Sequence, residues 1–138
     1  MQYDFIGQLV FNVGIGNTDA HAKNYSLLHH EDGTVTLSPL YDTVPIGMFP
    51  QYDQKLGMRI GNQRWARGVA PDNWVCLSKK ANLDPDRVLD IVADVNQGIL
   101  EHIDDTIGRT ELARRNRVEF DRLRFTADRS LRLAERRT

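Results

Sequence analysis

Apolar residues recur at helical spacing at the start of the chain and gather into two short runs soon afterwards. Four apolar residues share one face of the first predicted helix: Ile6, Leu9, Val10 and Val13. Glycines end this pattern, so a helix is predicted over residues 1–13. Two strand-like runs, residues 25–30 and 34–38, then flank an Asp-Gly turn signal at Asp32. We expect a β-hairpin within residues 25–42.

The middle of the chain has the composition of a loop, and its end has helix patterns. Residues 39–71 hold prolines and glycines at short intervals, so we expect mostly loop, with a short strand at residues 56–60. Helices are predicted within residues 72–138, and the strongest begins at Asp84, which can cap it, with proline next. Seven apolar residues share its face: Val88, Ile91, Val92, Val95, Ile99, Ile103 and Ile107. A last helix is marked by Phe120, Leu123, Ala127, Leu131 and Ala134. The predicted fold class is mainly α, with one small β-hairpin near the amino terminus.

The composition is that of a globular protein, and 138 residues suit one domain spanning residues 1–138. The formal net charge of -1 implies neither a nucleic-acid nor a membrane partner. Cys76 is alone, and neither a leader pattern nor a membrane-length apolar run is present, so we expect a cytoplasmic protein with no membrane association. Residues 109–138 hold ten arginines against five acids; we expect a helix with a solvated arginine face, with phosphate or DNA contact as the alternative. Trp65 and Trp74 are expected to be core anchors.

Three polar residues gather around the predicted hairpin. Asp19 lies in the loop before it, Asn24 opens it, and Asp42 closes it. With a midpoint near Gly33, position 42 lies opposite position 24, and opposed side chains on such a ribbon stand about 5 Å apart at Cβ. Amide and carboxylate oxygens at that separation suit Mg²⁺, although a one-residue slip of the register would part them. The alternative is that all three only satisfy turn backbone groups.

Protein kinases use these parts in the same order: a catalytic Asp, an Asn five residues later and a second Asp beyond a short hairpin. The stretch GNTDAHAKNYSLL, followed by LSPLYDTVP, resembles the carboxy-terminal lobe of the HipA-type serine/threonine kinases, the toxins of bacterial toxin–antitoxin pairs. The loop of that family commonly reads N-x-D-R-H-A-K-N, and its Asp-x-His-x-x-Asn core is also similar to the phosphoinositide kinases. The resemblance implies a kinase C-lobe-like helical domain.

The resemblance also implies roles for individual residues. Asp19 would be the catalytic base in the loop of residues 14–24, and Asn24 and Asp42 would be the magnesium ligands. A further set would line the ATP phosphates: His21, Ala22, Lys23, Asn24 and Tyr41. Lys23 would stabilise negative charge on the transferred phosphoryl group, or be only a solvated cation. His21 has the equal alternative of a buried imidazole that braces the loop. The implied partners are a DNA-binding antitoxin and a protein substrate.

Two departures from the family pattern stand out. Ala20 occupies the position where the family usually has arginine. We find no glycine-rich loop and no strand lysine for the phosphates in the sequence, so we expect this chain to be without the amino-terminal nucleotide-clamping lobe. We therefore expect a kinase lobe that is inactive alone, either because the missing lobe acts in trans or because the chain is truncated. Apolar surface that such a lobe would cover favours self-association.

Two other classes of function stay open. The first is a non-catalytic remnant lobe that acts as a binding module and docks an antitoxin. The second is a metalloenzyme that uses Asp19, His21 and the adjacent pair His29 and His30. Metal preference separates the classes, because oxygen ligands favour Mg²⁺ whereas imidazoles favour zinc.

Overall fold

The computed structural model describes residues 1–109 and ten residues beyond them. Those ten are all helical: residues 115, 117, 118, 121, 122, 124, 125, 128, 129 and 132. The positions that marked the last predicted helix lie outside the described residues: Phe120, Leu123, Ala127, Leu131 and Ala134. The side chain of Ile107 lies outside them as well. Within the described part of the chain, no helix is both long enough and apolar enough to cross a membrane.

Helices predominate, and their ends follow from local chemistry. The first helix, α1, covers Gln2–Gly14, one residue later than predicted at each end. The second, α2, covers Pro71–Lys80 and begins at a proline, whose fixed φ suits the first helical position. The third, α3, covers Pro85–Arg109, and the Asp84 carboxylate accepts a hydrogen bond from the Asp86 N–H at 3.0 Å, as expected of an N-cap.

The predicted hairpin is present, with a different register. Strand β1, Leu27–His29, pairs antiparallel with β2, Val35–Leu37, and Leu28 lies opposite Thr36. The pairing is therefore centred on Asp32 and not on Gly33. The Asp32 carboxylate accepts hydrogen bonds from both the N–H and the hydroxyl of Thr34, at 2.9 and 2.7 Å, which closes the turn around Asp32.

A second two-stranded sheet lies in the region predicted to be mostly loop. Strand β3, Lys55–Ile60, contains the short strand that the pattern indicated, and it pairs antiparallel with β4, Gln63–Trp65. The expectation of one hairpin was therefore incomplete. Strand β4 is as short as β1 and β2, but its sequence Gln-Arg-Trp contains no β-branched residue and no alternation, so the pattern did not reveal it.

The core lies where α1 and α2 pack against α3 and the inner face of β3. Its buried members are Ile6, Leu9, Val10, Val13, Ile60, Val69, Trp74, Val88 and Val92. The predicted apolar face of α3 is thus buried at Val88, Val92 and Ile103. Trp74 is a core anchor as expected, but Trp65 is 43% exposed. The expectation for Trp65 was wrong because its ring lies on short β4, where the Lys55 ammonium sits 5.5 Å from the ring centroid.

Candidate functional site

The loop of residues 15–24, which we call the site loop, joins α1 to β1 and rests on β3. The Gly57 N–H donates to the Thr18 carbonyl at 2.7 Å, and the Thr18 hydroxyl donates to the Asp53 carbonyl at 3.0 Å. A Cβ at Gly57 would lie 3.1 Å from the Ala20 carbonyl oxygen and 3.2 Å from His21 Cβ. The site loop therefore passes so close to β3 that any side chain at Gly57 would require the loop or the strand to shift by a few tenths of an ångström.

Asn24 and Asp42, the two residues expected to face each other, are in contact. The Asn24 side-chain N–H donates to Asp42 Oδ2 at 2.8 Å. They do not form a ladder pair, because β1 and β2 end before reaching them. Asn24 ends a 3₁₀ turn, Ala22–Asn24, and Asp42 has a left-handed backbone with φ of 55°. The predicted midpoint of the ladder was off by one residue, but the 3₁₀ turn at Asn24 and the left-handed backbone at Asp42 still bring the two side chains together.

Asp19 reaches the same place from the site loop. Its exposed carboxylate and Asp42 both line a cavity of about 390 Å³. The other lining residues are Asn17, Val44, Ile46, Phe49, Gln51 and Tyr52. Asn24 does not line the cavity itself but is hydrogen-bonded to Asp42, which does. The cavity therefore combines two carboxylates with a largely apolar wall, which is typical of small-molecule sites.

The remaining predicted site residues occupy the edge of this arrangement. His21 is half-buried, and its Nδ1 has no hydrogen-bond partner among the described residues. Ala22 and Lys23 are exposed, and the Lys23 ammonium pairs with no group that the structure describes. The exposed Tyr41 donates its hydroxyl to the Lys23 carbonyl at 2.9 Å and lies 2.7 Å from the Ser26 hydroxyl. Tyr41 thus ties the site loop to the end of the hairpin.

A chain of buried amides behind the site was missed by sequence reasoning. Asn12, on α1, donates to the Tyr25 hydroxyl at 3.0 Å and accepts from Asn17 at 2.8 Å. Asn17 also donates to the main-chain carbonyl of Asp42 at 3.2 Å. Burial raises the pKa of Tyr25, although the hydrogen bond from Asn12 opposes that shift. The sequence offered one indication of this chain of amides: Asn12 and Asn17 stand next to the apolar face of α1, just before Asp19.

The donor set can be tested against the groups that the resemblance implies. Asp42 offers a carboxylate, and Asn24 Oδ1, which accepts from the His21 N–H at 3.1 Å, keeps a second lone pair. Such oxygen donors fit Mg²⁺, which takes few protein ligands and completes its shell with water and phosphate. Among the residues described, no three His, Cys, Asp or Glu side chains lie close enough to hold a metal. The metalloenzyme alternative therefore receives no support.

Comparison with known proteins supplies the family. A family model described as the HipA-like C-terminal domain matches residues 1–103. The chain belongs to this family. The HipA resemblance carried by the site loop is thereby confirmed.

Individual relatives of this HipA-like C-terminal domain are similar over part of their length. A protein named "Putative kinase Y4mE" from Sinorhizobium fredii is 31% identical over 101 residues, which are 70% of this chain and 24% of that protein. The "Serine/threonine-protein kinase toxin HipA" of Shewanella oneidensis is 37% identical over 60 residues, 44% of this chain and 14% of that protein. The chain therefore spans about a quarter or less of these relatives.

A solved structure shares the fold. The complex described as the Shewanella oneidensis toxin–antitoxin system HipA, HipB and its operator DNA contains a chain that matches with a TM-score of 0.85. The sequence identity is 21%, and the match covers 98% of this chain and 33% of that chain. The helices and two small sheets described above are therefore an arrangement found in a HipA structure.

Proposed function

We propose that this chain is the carboxy-terminal part of a HipA-like serine/threonine protein kinase. In this proposal Asp19 is the catalytic base, Asn24 and Asp42 hold Mg²⁺, and ATP is the phosphoryl donor. The observation that carries it is the 2.8 Å contact between Asn24 and Asp42, with Asp19 and Asp42 on one cavity. Family membership supports it, because kinases use an Asp, an Asn five residues later and a second Asp for this chemistry.

Each residue has a definite task in the proposed reaction. A hydroxyl oxygen of the protein substrate bonds to the γ-phosphorus of ATP while the bond to the β–γ bridging oxygen breaks, and ADP leaves. The Asp19 carboxylate orients the attacking hydroxyl and takes its proton. Bound Mg²⁺ neutralises phosphate charge. Asn24 and Asp42 hold the metal, while His21, Ala22, Lys23 and Tyr41 line the phosphates, and Lys23 supplies positive charge.

The chain alone is expected to transfer phosphate poorly. Its four lysines are Lys23, Lys55, Lys79 and Lys80. Lys23 lies in the site loop, and Lys79 and Lys80 end α2. Lys55 begins β3, but its ammonium lies over the Trp65 ring and no glycine-rich loop adjoins it among the described residues, so none of the four matches the phosphate-anchoring lysine of a kinase. Phosphoryl transfer depends on positioning and electrostatics, so loss of that clamp removes most of the rate. We propose that a lobe outside this sequence supplies the clamp, in cis or in trans.

One observation favours a second function, a non-catalytic docking module. A cavity of about 420 Å³ beside α1 is lined mainly by apolar side chains, including Phe5, Leu27, Leu37, Leu77 and Leu83. Leu27, one of these lining residues, is 51% exposed. An apolar surface of this kind suits a protein partner. An antitoxin is the partner proposed, by analogy with the HipA and HipB complex.

The test of the proposed function is calorimetric titration of Mg²⁺-ATP into the chain and its variants. Asp42→Asn preserves size and tolerates the left-handed backbone but removes the carboxylate charge. Asp90→Ala, which removes an exposed aspartate of α3, is the control. We expect binding by the unsubstituted chain and by Asp90→Ala, and no binding by Asp42→Asn. Equal binding by all three would refute the nucleotide site at Asp42, and binding by none would favour the docking module.

A further inference from the structure

We infer that Asn17 is a positioning residue, which holds Asp42 in the backbone conformation that brings its carboxylate to Asn24. Asn17 is 2% exposed and lies two residues before Asp19. Its hydrogen bonds connect α1 to the segment that follows the hairpin. The inference concerns the conformation of Asp42, and its consequence for metal binding rests on the proposed function.

The hydrogen bonds determine which way the Asn17 amide points. Asn12 donates its side-chain N–H groups to the Gln8 carbonyl at 3.2 Å and to the Tyr25 hydroxyl at 3.0 Å. Because a main-chain carbonyl can only accept, the nitrogen of Asn12 faces Gln8 and its oxygen faces Asn17. Asn17 must then present its nitrogen, whose two N–H groups go to Asn12 Oδ1 at 2.8 Å and the Asp42 carbonyl at 3.2 Å. A flipped amide would set an oxygen against two acceptors.

Asp42 requires such support because its backbone is unusual. Its φ of 55° lies in the left-handed region, which Asp and Asn enter more readily than other non-glycine residues but which is still uncommon and is favoured by contacts that hold it. The donor from Asn17 reaches the main chain of Asp42, while the carboxylate of the same residue accepts from Asn24. Asn17 thus acts on the carboxylate only through the backbone of Asp42.

The side-chain oxygen of Asn17 is left without a hydrogen bond in the described structure. Asn17 Oδ1 is buried and has no hydrogen-bond partner among the described residues. Such orphaned acceptors are unfavourable and uncommon. Both donors of this amide are therefore used, while its acceptor has no partner among the described residues.

The test compares two buried asparagines. Asn96, on α3, is also 2% exposed, also donates to a main-chain carbonyl, that of Val92 at 2.8 Å, and also has an unpartnered Oδ1 in the described structure. Asn96→Ala is therefore the matched control for Asn17→Ala, and Asn17→Asp is an isosteric variant that replaces the donor with an acceptor. The probe of conformation is NMR of the Asp42 carbonyl carbon and the Asn24 side-chain amide, and the metal probe is Mn²⁺ alone, followed by line broadening.

We expect both Asn17 variants to shift the Asp42 and Asn24 resonances and to weaken Mn²⁺ binding about fivefold or more, the equivalent of one hydrogen bond. Asn96→Ala should lower the unfolding temperature while leaving these resonances and the Mn²⁺ affinity unchanged. Unchanged Asp42 and Asn24 resonances in a folded Asn17→Ala would overturn the inference, and so would equal changes in Asn96→Ala.

Failure of the proposed function gives a different result. An unsubstituted chain that binds no Mn²⁺ near Asp42 contradicts the metal site, while the Asp42 and Asn24 resonances still decide the role of Asn17. Should neither Asn17 variant fold, hydrogen exchange of the Asn17 side-chain amide in the unsubstituted chain decides. Slow exchange supports the two hydrogen bonds, and exchange as fast as that of the exposed Asn82 contradicts them.

Discussion

Gly57→Ala tests whether the close passage of the site loop over β3 shapes the site. The added Cβ would lie 3.1 Å from the Ala20 carbonyl oxygen and 3.2 Å from its carbon, so the loop or the strand must move by a few tenths of an ångström. The Gly57 N–H bond to Thr18 at 2.7 Å and the burial of Ala20 resist that movement. Overpacking of this kind costs about 1–3 kcal/mol, and the gain from replacing a strand glycine offsets about 0.5–1 kcal/mol.

The expected net loss is therefore about 0–2.5 kcal/mol of unfolding free energy, measured by chemical denaturation. Gly98→Ala is the control, because a Cβ there meets no atom of the described residues within 4 Å and α3 should gain about 0.5–1 kcal/mol. NMR of Gly57→Ala should also show shifts at His21 and Asn24. A Gly57→Ala chain as stable as Gly98→Ala, with unshifted site-loop resonances, would refute the reasoning.

Two further predictions concern burial. Tyr25 has a pKa raised above its ordinary value near 10, so below pH 10 its phenol is neutral in both states, and stability falls as the pH rises through the folded-state pKa. Above pH 10 the denaturation midpoint of Tyr25→Phe should fall less steeply with pH than that of the unsubstituted chain. Equal pH dependence of the two midpoints would contradict this prediction. Trp74→Ala should lose about 3–5 kcal/mol of stability, because Trp74 is 3% exposed, whereas Trp65→Ala should lose about 1 kcal/mol with its Lys55 contact. Chemical denaturation measures both losses of unfolding free energy. Similar values for the two variants would contradict the prediction that the buried tryptophan contributes more.

Local patterns determined much of this protein. Helical periodicity identified α1 and the buried face of α3, and the Asp-Gly signal identified the first hairpin, because the neighbours involved lie within a few residues of one another. The HipA-like stretch indicated the family, and the order of Asn24 and Asp42 around that hairpin indicated that these two residues meet. These features depend on spacing along the chain, which is visible in a single sequence.

The tertiary structure decided what depends on distant segments. The hairpin is centred on Asp32 because a side chain closes the turn, and Asn24 still meets Asp42 because the latter adopts a left-handed backbone. The amide chain from Asn12 through Asn17 to that backbone joins residues up to 30 positions apart. Such hydrogen bonds form only once α1 and the segment after the hairpin are packed together. Periodicity along the chain cannot reveal hydrogen bonds between distant segments. The sequence therefore indicated that Asn24 and Asp42 meet, while packing decided how they are held.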